Sequence, residues 1–250
     1  AWGDAAKQRD VASLGIVDPG SGQRWFIECS PSFPRQARRL NEAYPKLAGK
    51  LDGILLTHAH IGHYAGLIHL GREVMGAKGV PVHVMPRMEK FLRTQGPWSQ
   101  LVGLKNIQLS PMRDGRAFAL NKHLRVTPFL VPHRDEFSET VGFRIEGPRQ
   151  KILWLPDIDK WDKWKTSLEK ALAKVDIAYL DGTFFANGEL PGRDMSKIPH
   201  PFIAETMNRL KGQPEALRAK VRFIHLNHTN PAHNSKSSAT QQIRATGMRV

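Results

Sequence analysis

A chain of 250 residues, 40% of them apolar, is long enough for one large domain or two small ones with a sizeable core. Its single cysteine, Cys29, excludes an intrachain disulfide and a thiolate-based metal site, and no apolar run approaches the ~18 to 20 residues of a membrane-spanning helix. The formal charge of +14 favours anionic partners, but the basic residues are spread along the chain and only three tyrosines accompany them, so an RNA-reading surface is not favoured over a basic solvated one.

The N-terminal stretch AWGDAAKQRD has neither an initiator Met nor a signal-like apolar region and reads as a trimmed or processed end. The compartment is left unassigned, cytoplasmic or exported. In VASLGIVDPGSGQRWFIECS two β-rich runs flank the turn signal DPGSG, which predicts a hairpin with Cys29 as a small core residue. PRQARRLNEAYPKLAGK has helical spacing at Ala37, Leu40 and Ala43. DGILLT is a short strand of buried type. GHYAGLIHLGREVMG follows as a helix, on the spacing of Leu67, Leu70 and Val74. VPVHVMP predicts a strand and RMEKFLRTQG a helix. The stretch from Met85 to Pro111 is the expected wall of the opening, where Trp98 either stacks on a ligand or pins the loop.

From Ile107 to Leu155 the pattern is mostly strand: NIQLS, RAFAL, LRVTPFLVPH, TVGFRIEG and KILWLPD. DKWDKWKTSLEKALAKV predicts one helix, with Trp161, Trp164, Leu168 and Leu172 as a packing stripe. DIAYLDGTFF is a strand and turn, PHPFIAETMNRLKG a helix, VRFIHLN a strand and SSATQQIRATG a final helix. Strands and helices interspersed in this way suit two mixed sheets packed together and covered by helices.

The chemistry concentrates in LLTHAHIGHYAGL. His58 and His60 are two apart, so in extended backbone both side chains point the same way and can face one metal ion. His63 follows as the chain turns into a helix, toward a second, adjacent ion. Neutral imidazole is the commonest metal ligand. Further donors close predicted strands: His133, Asp157 and His225, with His228 just beyond. Ligands from several strand ends make a rigid site with an open position, and a carboxylate such as Asp157 can bridge two ions.

THAHIGH resembles the H-x-H-x-D-H signature of the metallo-β-lactamase superfamily, and VPH, LWLPD and FIHLNH follow in the expected order. The resemblance implies an α/β (α+β) class, an αββα sandwich of two mixed β-sheets flanked by helices, as a single domain over residues 1–250 whose usual first strand is hard to find. It also implies a ligand set: His58, His60 and His133 on one ion, His63 and His225 on a second, and Asp157 bridging. Zn2+ is the default, one ion or two, and Fe2+ or Mn2+ suits the same donors. Within the superfamily, RWFIECSPSFPRQ, LDGTFF and IHLNHTNP resemble the pyrroloquinoline quinone biosynthesis protein B family. That family is poor in the first two histidines, which this chain keeps.

One position departs from the signature. Where the superfamily has Asp, this chain has Gly62, which offers no donor. A weakened second site, a replacement by His228 or Asp181, a single ion, or a purely binding role would each follow. DIAYLDGTFF with the later SKIPHPF resembles the acid–histidine pair of the superfamily's RNA-processing and phosphodiesterase branch. There a carboxylate orients a histidine that protonates a leaving group. Equally, Asp181 would cap the turn before Gly182, and His200 would be a loop residue between two prolines. His69, His83 and His123 lack such a setting and read as packing or surface residues.

These readings predict a metal-dependent hydrolase, mononuclear or binuclear, with Asp157, Asp181 and His200 as catalytic residues. The expected substrate is a small, anionic ester, phosphodiester or amide. Nucleic acid is possible but not favoured, no membrane partner is expected, and the oligomeric state is unassigned. The rivals are an iron-dependent oxidative enzyme and a non-catalytic metal-binding protein.

Overall fold

The structure, a computed structural model, describes residues 8–250, so the expectation for the N-terminal stretch falls largely outside the described residues. The chain divides into two compact units. One runs to Arg113 and includes Glu136–Glu139; the other comprises Asp114–Asp135 and Thr140–Val250.

The first unit is built on a five-stranded sheet in chain order: β1 (Leu14–Asp18), β2 (Gln23–Ile27), β3 (Gly53–Leu55), β4 (Val80–Val84) and β5 (Ile107–Pro111). The first pair is antiparallel and the others are parallel. The predicted hairpin forms because the Asp18 carboxylate accepts bonds from Gly20 N and Ser21 Oγ, while Gly22 takes φ +70°, which glycine adopts without a Cβ clash. Helices α1 (Phe33–Ala43), α2 (Ile61–Tyr64), α3 (Pro86–Thr94) and α4 (Trp98–Gly103) accompany the sheet. Phe26, Ile54, Leu67, Val82 and Leu92 are among the buried side chains of its core, and Cys29 is fully buried beside them.

Two expectations change here. The helix predicted over residues 62–76 reduces to α2, four residues long, followed by a 3-10 turn over Ala65–Leu70. Leu67 and Leu70 are buried as expected, but Val74 is 63% exposed. Two glycines, Gly66 and Gly71, interrupt the run, and each costs a helix about 1 kcal/mol relative to alanine. The stretch after α3 carries α4, which the sequence reading missed. Trp98 is buried with its ring 5.0 Å from that of Tyr64, so it pins this segment rather than facing a ligand.

The second unit holds a six-stranded mixed sheet of β6 (Phe118–Ala119), β7 (Arg125–Leu130), β8 (Val141–Glu146), β9 (Lys151–Leu155), β10 (Ile177–Asp181) and β11 (Val221–Ile224), in the spatial order β11-β10-β9-β8-β7-β6. Strands β6 to β9 pair antiparallel, and β9, β10 and β11 run parallel. Helices α5 (Leu168–Ala173), α6 (Ile203–Leu210), α7 (Glu215–Arg218) and α8 (Ser238–Ala245) accompany it. The helix predicted from Asp159 onward divides into a 3-10 turn over Trp161–Lys163 and α5. Ser167 causes the break: its hydroxyl accepts from Lys170 N and caps α5 afresh. The stripe still packs, with Trp161, Leu168 and Leu172 buried in one cluster and Trp164 against it. Among the described residues no helix is long and apolar enough to cross a membrane.

Candidate metal centre

In the first unit the three histidines of THAHIGH are brought together. The His58 ring lies 4.4 Å from that of His60 and 4.2 Å from that of His63, centroid to centroid. Beneath them is a residue the sequence reading missed, Glu28, fully buried at φ +68° where β2 ends. A non-glycine residue in that region stores about 1–2 kcal/mol of backbone strain. Thr57 Oγ1 donates to Glu28 Oε1 at 2.6 Å and lies 2.9 Å from His58 Nδ1. The hydroxyl has one proton, and Glu28 takes it, so His58 Nδ1–H donates to Thr57 and His58 Nε2 keeps its lone pair. His63 Nδ1 lies 3.3 Å from the same Glu28 oxygen. A buried carboxylate that fixes imidazole tautomers is the usual support of a metal-ligating histidine.

His58 Nε2 and His60 Nδ1 face one another at 2.8 Å, and His60 Nε2 is 2.8 Å from the Glu136 carboxylate. Two imidazole nitrogens facing one another at that distance mark a place that also suits a metal ion. Cys29 N donates to His63 O and Gly66 N to Cys29 O, each at 2.8 Å, which ties α2 to the end of β2. A Cβ on Gly66 would lie 2.1 Å from Ser30 O. Gly62 is different: a Cβ there would meet only Val11 Cγ1, at 3.5 Å, so space does not dictate the missing aspartate.

In the second unit, topology assembles the other donors. Strands β9, β10 and β11 are parallel neighbours in matched register, so their C-terminal exits lie side by side, where ligands bind in open α/β sheets. Asp157, Asp181 and His225 occupy those exits, with His225 at φ +61°. Asp157 Oδ1 is 3.3 Å from His200 Nδ1 and 4.0 Å from His133 Nε2, and its Oδ2 is 3.3 Å from His225 Nε2. One ligand atom each from His133, Asp157 and His200 fall within 4.8 Å of one another, a set that could hold a metal ion. The sequence reading placed His200 only as a proton donor; the geometry also gives it a place among the metal donors.

Asp181 is fully buried and engaged on both oxygens. Oδ1 accepts from Thr183 N and Thr183 Oγ1, at 2.9 and 2.7 Å, and Oδ2 is 2.7 Å from His200 Nδ1 and accepts from Ile158 N at 3.2 Å. It therefore caps its turn and orients His200 at once. Burial alone would lower the His200 pKa, but the Asp181 and then the Asp157 carboxylate outweigh it, so the imidazole is raised. Thr183 Oγ1 also lies 2.9 Å from His225 Nδ1. With its proton on Asp181, the Thr183 hydroxyl accepts from His225 Nδ1–H, which leaves His225 Nε2 facing the Asp157 carboxylate at 3.3 Å.

The remaining motif residues hold this loop in place. Asn230 Nδ2 donates to Gly182 O and Thr183 O, Asn227 N donates to Thr183 O, and Gly182 N donates to Ile224 O. A Cβ on Gly182 would lie 2.8 Å from Phe223 Cβ, so the DGT turn needs glycine for close approach. His228 is exposed. His83 stands on β4, where burial pushes its imidazole down to about 4.

A family profile described as "Beta-lactamase superfamily domain" matches residues 23–244. Coenzyme PQQ synthesis protein B of Xanthomonas campestris pv. campestris is 26% identical over an alignment of 280 residues, covering 100% of this chain and 88% of that protein. The crystal structure of Zn(2+)-bound PqqB from Methylobacterium extorquens superposes with a TM-score of 0.76 at 20% identity, covering 100% of this chain and 88% of the other. A diphosphatase from the PhnP family superposes at 0.63 with 21% identity, over 93% and 80% of the two chains. The fold is thus the metallo-β-lactamase fold expected from the signature, two mixed sheets with flanking helices.

Proposed function

Because the chain belongs to the β-lactamase superfamily, its profile matching residues 23–244, we propose that it is a metal-dependent hydrolase acting on an ester, phosphodiester or amide of a small anionic substrate. The observation that carries this reading is the Asp157 carboxylate set among His133, His200 and His225, with Asp181 and Thr183 fixing the last two. On this reading His58, His60 and His133 would hold one ion, His63 and His225 would contribute to a second, and Asp157 would serve both. What supports joining the two sets is the order of the signature along the chain, together with a zinc-bound protein of the same fold. The donors are imidazole and carboxylate, which suits zinc, manganese or ferrous iron.

The chemistry such an ion supplies when bound is Lewis acidity toward a substrate oxygen and a water acidified to a pKa of about 7. The side chains do the rest. Asp157 orients the attacking water and takes its proton. His200, held through Nδ1 by Asp181, keeps Nε2 for proton delivery to the leaving oxygen, and its raised pKa keeps it charged at higher pH. The formal charge of +14 favours an anionic substrate. The fold shared with a diphosphatase is consistent with a phosphoester.

The likeness to coenzyme PQQ synthesis protein B over the whole chain favours a second reading, oxidative chemistry at iron. Elemental analysis of the purified protein, an oxygen electrode and a panel of generic esters, phosphodiesters and lactams separate the two. Hydrolysis without oxygen uptake, lost together with metal in His133→Ala, is the expected result. Oxygen consumption with bound iron and no hydrolysis would replace the leading reading with the second. Full metal content and rate in His133→Ala would remove both.

A further inference from the structure

The second unit carries a cavity that no donor residue lines. Its volume is about 550 Å³, within the ~300–1,000 Å³ range of small-molecule sites. Thr127, Arg144 and Leu153 are successive cross-strand partners on β7, β8 and β9, so the pleat turns all three to the same side, and together they form the floor. Phe129, two residues along β7, joins that face. It pairs with Gly142, where a Cβ would lie 2.4 Å from the Phe129 ring, so only glycine lets the ring lie across β8. Trp164 stacks on Phe129 with centroids 5.7 Å and planes 30° apart, anchored by its indole N–H on Leu130 O. Ala171 on α5 completes an apolar slot.

The rim of this slot is basic. Lys163, Lys165, Lys170 and Lys174 line it, with Arg144 in the floor below, against one carboxylate, Asp114, which already accepts from Leu130 N. Lys163 pairs with Asp159 and Arg144 lies 3.7 Å from Glu146. Among the described residues Lys165, Lys170 and Lys174 have no ion-pair partner. Like charges gathered around the Phe129–Trp164 surface repel one another, and an anion with a flat apolar body relieves the repulsion and covers that surface.

We propose that this cavity is a second ligand site, distinct from the metal donors, that binds an aromatic carboxylate: the ring lies against the Phe129–Trp164 stack and the acid group meets Lys170 and Lys174. The test is calorimetric titration of the purified protein with 1-naphthoate, with 1-naphthalenemethanol as the neutral analogue. Both Lys170 and Lys174 are exposed, so Lys170→Glu with Lys174→Glu should leave the melting temperature unchanged. Naphthoate should bind the wild type with a Kd below about 1 mM, and the double variant should weaken it about ten-fold or more. Raised salt should weaken binding to the wild type and leave the neutral analogue unaffected. No detectable heat, equal affinity in both proteins, or a neutral analogue bound as tightly as the acid would each overturn the proposal. None of these outcomes depends on hydrolysis or metal content.

Discussion

Replacing Thr183 by valine tests whether the carboxylate–threonine–histidine relay positions a metal ligand. The substitution keeps the side-chain shape and deletes one oxygen. That oxygen donates to Asp181 Oδ1 at 2.7 Å and accepts from His225 Nδ1 at 2.9 Å. Asp181 keeps Thr183 N, Ile158 N and His200 as partners, so the turn has no reason to unfold. The direct loss is a hydrogen bond to a charged group, about 1.5–3 kcal/mol. The functional loss is different in kind. Without the threonine oxygen the Nδ1–H of His225 loses this acceptor, and loss of such outer support typically weakens metal binding about 10–100-fold. The measurement is competition between protein and a chelator of known affinity, in wild type, Thr183→Val and Thr183→Ser. The serine variant retains the hydroxyl and should bind within about three-fold of wild type, which is ~0.6 kcal/mol. If the valine variant melts at lower temperature yet competes with the chelator as well as the wild type, the hydroxyl supports the fold and not the ligand. If the wild type itself holds no metal, the superfamily reading of the site fails first.

Other outcomes follow from particular contacts. Gly66→Ala places a Cβ 2.1 Å from Ser30 O and 2.8 Å from Cys29 O, both backbone atoms, and should cost about 2–3 kcal/mol in urea unfolding; a change below ~0.5 kcal/mol would show that the close approach is relaxed. Gly62→Asp meets only Val11 Cγ1, so stability should hold within ~0.5 kcal/mol while metal per protein, read by elemental analysis, rises; unchanged stoichiometry would count against the carboxylate's absence as the limit on the second site. His83 supplies the pH prediction. Burial lowers its folded pKa from 6.5 to about 4, so the unfolded chain binds the proton first as pH falls. Its stabilising share is whole above about 6.5 and declines toward pH 4, a loss of at most ~3 kcal/mol. His83→Gln should flatten the denaturation midpoint across that window, and an unaltered slope would assign the acid sensitivity elsewhere.

The sequence disclosed what depends on spacing along one segment. The hairpin at DPGSG, the buried run of β3 and the i, i+2 pair His58 and His60 are local patterns, and each was legible. The predicted helices over residues 62–76 and 159–175 were not. Leu67 and Leu70 keep their burial there, but Gly66 must approach the Cys29 carbonyl and Ser167 caps a new start, and periodicity does not register either demand. His133, Asp157 and His225 could be singled out because strand exits are local features, and parallel pairing of β9, β10 and β11 brings the exits of Asp157 and His225 together with that of Asp181.

The support beneath the candidate donors stayed hidden for a different reason. Thr57 bonds Glu28 across 29 positions, and Thr183 bonds His225 across 42. Glu28 did leave one trace, a lone charge inside the apolar run WFIEC, and a carboxylate that a strand buries needs a donor to offset its desolvation. Thr57 and Thr183 left none, since threonine is common in strands and turns. Yet the same arrangement occurs in both units: a fully buried carboxylate, a threonine hydroxyl 2.6 or 2.7 Å away, and an imidazole Nδ1 at 2.9 Å. A hydroxyl placed between acid and imidazole orients each ring through Nδ1 and leaves its Nε2 facing the neighbouring candidate donors, His60 in one unit and Asp157 in the other. Two unrelated segments converging on that geometry is hard to explain by packing alone, because a valine would fill either position as well.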